Sequence, residues 1–283
     1  MPLLDIWAQL PYLAPHCGAL HTYACEPPNG TPRFNGRLQG HAVLLRDIRG
    51  AAQAPSLAVE GFELCEQYSR VRDFWDEEQI RSVHYPEARE LALALTGGVD
   101  AVVFDHTLRR RDEGRPPLDG LGGSFSPVRS PVGRVHADYT PRSGPERFSA
   151  LRRRHDVDAL DDTPFMILGL WRPLNEGPLN DAPLAMMDAR TLAPADLVPN
   201  DLIYADRRGQ TYAITYSPGH RWHHLQGQWR HEVLAFVHYD SEAATADGAT
   251  GAAAHTAFEH PGTPANAEPR QSVELRVLVI KLR

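Results

Sequence analysis

Gly133-Arg134-Val135-His136-Ala137-Asp138-Tyr139-Thr140 is the stretch on which the reading of this chain turns. It reads as a strand. Successive side chains on a strand point to opposite faces, so residues two apart share a face at a spacing of roughly 7 Å. The imidazole of His136 and the carboxylate of Asp138 are therefore aimed at one point. That is two thirds of a 2-His-1-carboxylate triad, the facial arrangement that holds non-heme Fe(II) and leaves coordination positions open. Chance supplies such pairs in a chain with 14 His and 36 acidic residues, and His238-Tyr239-Asp240 is a second one. Only 14 residues, most of them loop-like, separate Asp240 from the next His, His255. His136-Ala137-Asp138 has several strands after it and can be wrapped by them.

The 283 residues allow one large domain with an ample core. A hydrophobic content of 42% and a charged content of 23% are ordinary for a globular protein. The net charge of −7 gives no general attraction to nucleic acid or to an anionic membrane. No apolar run approaches the length of a membrane helix, and Met1-Pro2-Leu3-Leu4-Asp5-Ile6-Trp7 has neither a basic start nor an apolar stretch of the signal-peptide kind. Cys17, Cys25 and Cys65 are odd in number and lack metal-ligand spacing, which fits reduced thiols in a cytoplasmic protein. With 24 Pro and 22 Gly the chain favours many turns over long helices.

Residues 1–35 read as loop, broken by Pro27-Pro28-Asn29-Gly30-Thr31-Pro32. Short strands are expected at 41–45, 57–62 and 99–105. A short helix is expected from Asp76 to about His84, and a second from Pro86 until Gly97-Gly98 ends it. Residues 110–131 read as a loop rich in Arg, Gly, Pro and Ser, with Arg109-Arg110-Arg111 as a solvated basic run. Ser143-Gly144-Pro145-Glu146 has capping-box spacing and opens a helix to about Arg154. Strands follow at 165–171, 183–188, 211–216, 233–237 and 271–280, with residues 241–254 as a loop ahead of His255-Thr256-Ala257-Phe258. Runs of short strands with turn signals argue for a mainly β sandwich or jelly roll with flanking helices, in one domain spanning 1–283. Residues 1–105 would pack strands and helices on the barrel, and 132–283 would form its core with the metal site.

A triad on such a barrel needs a distal His several strands after the H-x-D pair. His255 comes after an apolar strand and a loop; His220, which also follows a strand, is its rival. Arg270-Gln271-Ser272 opens the last strand, where a guanidinium can grip a carboxylate in bidentate fashion and a hydroxyl can share it. Arg270, Ser272, Glu274 and Arg276 share one strand face, so Arg276 is a second candidate cation. Tyr139, Trp171, Arg172 and Trp222 are candidate substrate-lining residues, and Tyr212 is a candidate contact to a cosubstrate.

These motifs together resemble a known family. Val135-His136-Ala137-Asp138-Tyr139-Thr140, Leu170-Trp171-Arg172-Pro173-Leu174, Asp181-Ala182-Pro183-Leu184-Ala185 and His220-Arg221-Trp222 are similar to the hydroxylase/desaturase (AsaB-like) family of Fe(II)/2-oxoglutarate-dependent dioxygenases. So are Asp105-His106-Thr107-Leu108-Arg109, Tyr239-Asp240-Ser241, His255-Thr256-Ala257-Phe258 and Arg270-Gln271-Ser272-Val273-Glu274-Leu275-Arg276. The likeness runs from about Leu45 to Ile280, with His223 and His224 standing where aromatic residues are usual. What the resemblance implies is a single catalytic domain built on a double-stranded β-helix (jelly roll, cupin-like), with an Fe(II) centre held by His136, Asp138 and His255 and no catalytic residue beyond these ligands. It implies 2-oxoglutarate as cosubstrate, its distal carboxylate on Arg270 or Arg276 with Ser272, and O2 as oxidant. The expected reaction is hydroxylation or desaturation of a small-molecule secondary metabolite, with succinate as coproduct, in a cytoplasmic monomer or homodimer. Two other readings of the same residues stand beside it. One is a cupin-like metal-dependent hydrolase or isomerase; the other is a non-catalytic jelly-roll binding protein.

Overall fold

A computed structural model describes residues 5–16, 18–114, 118, 128–155, 157, 159–160, 162–243 and 252–282. Parts of two expected loops, 110–131 and 241–254, lie outside the described residues.

Two antiparallel-dominated sheets face each other. The larger holds nine strands in the order β1 (Ile6–Leu13), β3 (Leu38–Asp47), β11 (Trp222–His224), β8 (Leu184–Met187), β13 (His255–Ala257), β6 (His136–Ala137), β10 (Arg208–Ile214), β9 (Leu197–Ile203) and β2 (Leu20–Tyr23). The smaller holds β4 (Phe62–Glu66), β12 (Glu232–Asp240), β7 (Phe165–Pro173), β14 (Gln271–Ile280) and β5 (Asp100–Arg110). The mainly β, jelly-roll expectation holds. Residues 1–35 are not simply loop, however: β1 pairs with β3 along its whole length, and β2 pairs in parallel with β9. Strands made by such distant pairings carry little local signal.

The inner strands of the smaller sheet explain their own composition. Every residue of β7 is buried, because both faces of this sheet are covered. Met166, Leu168 and Leu170 point outward, with Val233, Ala235, Val273, Leu275 and Val277, into a core closed by Ala88 and Ala92 of the helix α2 (Tyr85–Thr96). That helix continues from α1 (Glu77–Gln79) through a π turn, and Gly97 in the left-handed region (φ 67°) ends it. Alternate residues point into the barrel. One end is filled by Phe62, Trp171, Leu184, Met186, Leu234 and Phe236. The other is filled by Tyr139, Phe165, Ile167, Tyr239 and Leu278 beneath Phe148 and Leu151 of α3 (Ser143–His155). The barrel's middle is polar.

Gly169 marks how tightly that middle is packed. It pairs with Phe236 and Arg276, and a Cβ built on it would lie 2.6 Å from His238 Nε2 and 2.9 Å from the Phe236 ring. Gly169→Ala is expected to lower the unfolding free energy by about 1–3 kcal/mol, the usual cost of overpacking. Gly177, whose Cβ would meet nothing within 4 Å, is expected to tolerate Ala within about 0.5 kcal/mol. Urea unfolding midpoints at constant slope check both.

Candidate metal centre

Strand pairing brings the distant residues together. His136 of β6 lies directly opposite His255 of β13 in the antiparallel ladder, and their ring centroids are 4.4 Å apart. Asp138 follows β6 immediately, with Oδ1 3.5 Å from His136 Nε2. One ligand atom from each of His136, Asp138 and His255 falls within 4.8 Å of the others.

Each ring is fixed in one tautomer. His136 Nδ1 donates to the Arg134 carbonyl at 2.8 Å, and His255 Nδ1 donates to the Ala253 carbonyl at 3.2 Å. Both Nε2 lone pairs are left facing the shared point, the orientation that backbone acceptors give to metal-binding imidazoles. Burial, then the neighbouring His255, pushes the His136 pKa down to about 3; burial also lowers that of His255. Both rings are therefore neutral donors at pH 7. Burial opposes ionisation of Asp138, but Arg276 and the nearby imidazoles outweigh it and hold the carboxyl well below its usual range. Two neutral imidazoles and one carboxylate gathered on one side are a donor set that fits Fe(II).

Behind Asp138 stands a second layer that the sequence reading did not identify. Arg276 donates to Asp138 Oδ2 through Nη2 (2.8 Å) and Nε (3.2 Å), and Nη2 lies 3.1 Å from Glu274 Oε1. His238, fully buried, puts Nε2 3.1 Å from Glu274 Oε1 and Nδ1 3.6 Å from Asp138 Oδ2. Asp138, His238 and Glu274 also lie within 4.8 Å of one another, but Arg276 is already the cation between the two carboxylates.

Arg270 has a different environment. It is 2% exposed, donates from Nε to Ser272 Oγ (3.1 Å) and from Nη1 to the Ala182 carbonyl (2.8 Å), and its guanidinium lies 4.9 Å from the Trp171 ring centroid. Ala182 holds that carbonyl in place at a φ of 46°, rare for a residue with a Cβ. Among the described residues Arg270 forms no ion pair. Beside it, from β5, Arg109 lies in register with Ser272 and donates to the Ser130 carbonyl. These side chains, with Trp171, Val132, Leu184 and Ala257, line a chamber that also reaches His136, Asp138 and His255. The chamber holds about 20 Å³. That is room for about one water. It shares Arg109, Val132, His136, Asp138 and Arg276 with a larger cavity of about 440 Å³, which Tyr139 also lines.

Three expected site residues are elsewhere, for one shared reason. In the larger sheet Ala213 pairs with His136 and therefore shares its face, so Tyr212 projects from the opposite face, against an outer apolar cluster. Trp222 belongs to that cluster too, its Nε1 donating to Tyr12 Oη at 2.7 Å. In the smaller sheet Trp171 faces inward, so Arg172 faces outward, where it bonds Gln67 and the Arg230 carbonyl. Neither cavity is lined by Tyr212, Arg172 or Trp222. The rival ligands also fall away. His220 uses one ring nitrogen with Tyr12 and the other with Asp196, at 3.1 Å each, and Asp240 pairs with Lys281 at 2.7 Å. Arg109-Arg110-Arg111 is not a solvated run: Arg111 is buried against Asp181 at 2.7 Å, and Arg109 faces the chamber.

Residues 10–280 match a protein family described as "Oxidoreductase/YMDC permease-like domain". The chain belongs to that family. Among the described residues no helix is long and apolar enough to cross a membrane. Curated relatives of this family member include the Fe(II)/2-oxoglutarate-dependent dioxygenase nvfI of Aspergillus novofumigatus, 28% identical over 265 residues, covering 91% of this chain and 89% of the relative. They also include the hydroxylase/desaturase poxK of Penicillium oxalicum, 26% identical, with 89% of this chain and 83% of the relative covered. The solved structure of the iron and alpha-ketoglutarate-dependent endoperoxidase NvfI superposes with a TM-score of 0.82 at 26% identity, over 99% of both chains. The resemblance to hydroxylase/desaturase-type Fe(II)/2-oxoglutarate-dependent dioxygenases thus extends along nearly the whole chain.

Removing Arg276 leaves Asp138 and Glu274 facing each other in a dry interior. Arg276→Met is expected to cost about 3–5 kcal/mol of unfolding free energy, as breaking one side of a buried ion pair does. Adding Glu274→Gln to it should restore part of that loss. Denaturant unfolding of the metal-free proteins measures both.

Proposed function

We propose that this family member is an Fe(II)- and 2-oxoglutarate-dependent oxygenase that hydroxylates or desaturates a small molecule of secondary metabolism. His136, Asp138 and His255 are its metal ligands, and Arg270, with Ser272, binds the far carboxylate of the cosubstrate. The observation that carries this reading is Arg270: a buried guanidinium without an ion-pair partner among the described residues, in a chamber that opens on three convergent metal donors. Desolvating a cation is costly unless an anion compensates it. A dicarboxylate that reaches both the metal donors and Arg270 supplies that anion.

Iron with bound 2-oxoglutarate and O2 supplies the oxidative chemistry, in which the keto acid loses CO2 to become succinate and a C–H bond of the substrate is oxidised. The chain's own residues supply position. His136 and His255 present neutral Nε2 donors because backbone carbonyls hold their Nδ1 protons. Arg276 ties down Asp138 Oδ2 and leaves Oδ1 free on the side of the two imidazoles. His136, Asp138 and His255 would hold the metal from one side and leave it open to the keto acid and the oxidant. Trp171 lies flat against the Arg270 site and keeps water from it, while Tyr139 faces the larger cavity, where the substrate lies. A metal-dependent hydrolase or isomerase gives Arg270 no such role, and a passive binding protein gives none to the oriented imidazoles. Cys25 and Cys65 are free thiols, which supports a reducing, cytoplasmic setting.

Anaerobic addition of Fe(II) and 2-oxoglutarate to the protein is expected to give the visible charge-transfer band of the chelate, absent in Asp138→Ala and His255→Ala. A full band in either variant would remove it from the ligand set. Arg270→Ala is expected to raise the 2-oxoglutarate concentration needed for half-maximal band intensity by about 30-fold or more, the loss of a buried charge-assisted contact. Tyr212→Phe should leave that concentration unchanged. The reverse ranking would assign the cosubstrate cation wrongly.

A further inference from the structure

The larger cavity has a charge that the whole chain does not. The chain carries a net charge of −7, yet eight arginines and only three carboxylates line this space of about 440 Å³. The three carboxylates already have cations. Asp105 and Asp138 face Arg276 at 3.4 and 2.8 Å, and Glu146 pairs with Arg142, outside the lining, at 3.3 Å. Among the described residues Arg129, Arg147, Arg207 and Arg208 form no ion pair. They come from three places in the chain: Arg129 from the segment before β6, Arg147 from helix α3, and Arg207 and Arg208 from the end of the β9–β10 turn and the first residue of β10.

Several of the lining guanidiniums are held against aromatic rings. Arg207 stacks 3.7 Å from the Tyr204 ring centroid and Arg147 lies 5.7 Å from that of Phe104. Arg134, 7% exposed, donates to Thr22 Oγ1 and lies 5.2 Å from the Phe34 ring centroid. Stacked, planar forks lose little freedom on gripping an oxyanion. Like charges gathered around a concave, partly apolar space focus a positive potential into it. Tyr23, Tyr139 and Tyr204 supply an aromatic wall in the same cavity, and His136 and Asp138 stand in its lining.

We infer that the substrate is an organic acid. Its oxyanion group binds among the arginines of the β9–β10 turn and α3, and its hydrophobic body lies along the tyrosines toward the metal ligands. This rests on the oxygenase reading for the place of oxidation, though not for the anion site. Carboxylates and phosphate esters share the recognising chemistry, and the probes separate them.

The test is isothermal titration of the protein holding Fe(II) and saturating 2-oxoglutarate under nitrogen, so that the cosubstrate site is filled. The probes are 1-naphthoate, 1-naphthyl phosphate and methyl 1-naphthoate. At least one acid is expected to bind about tenfold or more tightly than the ester, and the tighter acid names the head group. Arg207→Ala/Arg208→Ala and Arg147→Ala are expected to weaken the acid about tenfold and leave ester binding within about twofold. Equal binding of acid and ester overturns the inference. So does a preference for acid that survives both variants, or failure of both acids to bind at millimolar concentration. The chelate band recorded on the same samples keeps the two readings apart: a missing band removes the oxygenase, whereas an unselective cavity removes only the acid.

Discussion

The interior of this protein is organised around the Asp138 carboxylate and the guanidinium of Arg276. Asp138 comes from the end of β6 in the larger sheet, and Arg276 from β14 in the smaller one, so the pair bridges the two walls of the barrel. Glu274 and His238 extend the bridge, each buried and each bonded to the other. A polar chain of this kind gives a protein little stability against a packed apolar alternative. What it does give is orientation. With Oδ2 held by two N–H groups of Arg276, the carboxylate can turn only Oδ1 to a metal. Gly169 is part of the same constraint, because a side chain there would collide with His238.

The apolar material is arranged to keep this polar layer narrow. Phe236 and Trp171 close one side and Ile167 and Leu278 the other, while α2 seals the outer face of the smaller sheet. The rings of His136 and His255 are thereby desolvated, and desolvation keeps them neutral. Folding and ligand readiness have one cause here. The burial that keeps every residue of β7 from solvent also removes the water that would stabilise a protonated imidazole.

How much of this was legible in the sequence depends on the range of the signal. The H-x-D pair was legible because its geometry is local: alternation alone aims 136 and 138 together. The helix end at Gly97 was legible from its cap, whereas the start of α3 lies near the expected place for another reason: Thr140 and Ser143 exchange the reciprocal bonds, not Ser143 and Glu146. His255 was found through the order of elements, since its meeting with His136 needs a ladder between residues more than a hundred apart. The failures are of parity and of partnership. Tyr212, Arg172 and Trp222 each lie next in sequence or register to an inward-facing position and point the other way, and a one-residue change of register reverses every face. The strands β1 and β2 were missed because what makes them strands is β3 and β9, not their own Pro- and His-containing residues. Arg109 looked like part of a solvated charge run because three adjacent arginines say nothing about which of them a strand turns inward.

The two candidate cations of the last strand show why composition could not decide between them. Arg270, Ser272, Glu274 and Arg276 share one face of one strand and one chemistry, and their spacing gives no reason to prefer either guanidinium. The difference lies in what the facing sheet offers. Opposite Arg276 the larger sheet presents Asp138, and the strand itself adds Glu274, so this charge is neutralised within the fold. Arg270 makes no such ion pair among the described residues: around it stand Trp171 and Ser272 of its own sheet and the Ala182 carbonyl, which orient a cation without cancelling its charge, and Arg109, which adds a second. Burial pushes the Arg270 pKa down to about 9, with Arg109 adding to the effect, and the group still stays protonated at pH 7. A folded chain that keeps a desolvated positive charge beside a second guanidinium has an electrostatic cost inside it. An anion arriving there would lower that cost, and this is why Arg270 rather than Arg276 is proposed to meet the cosubstrate.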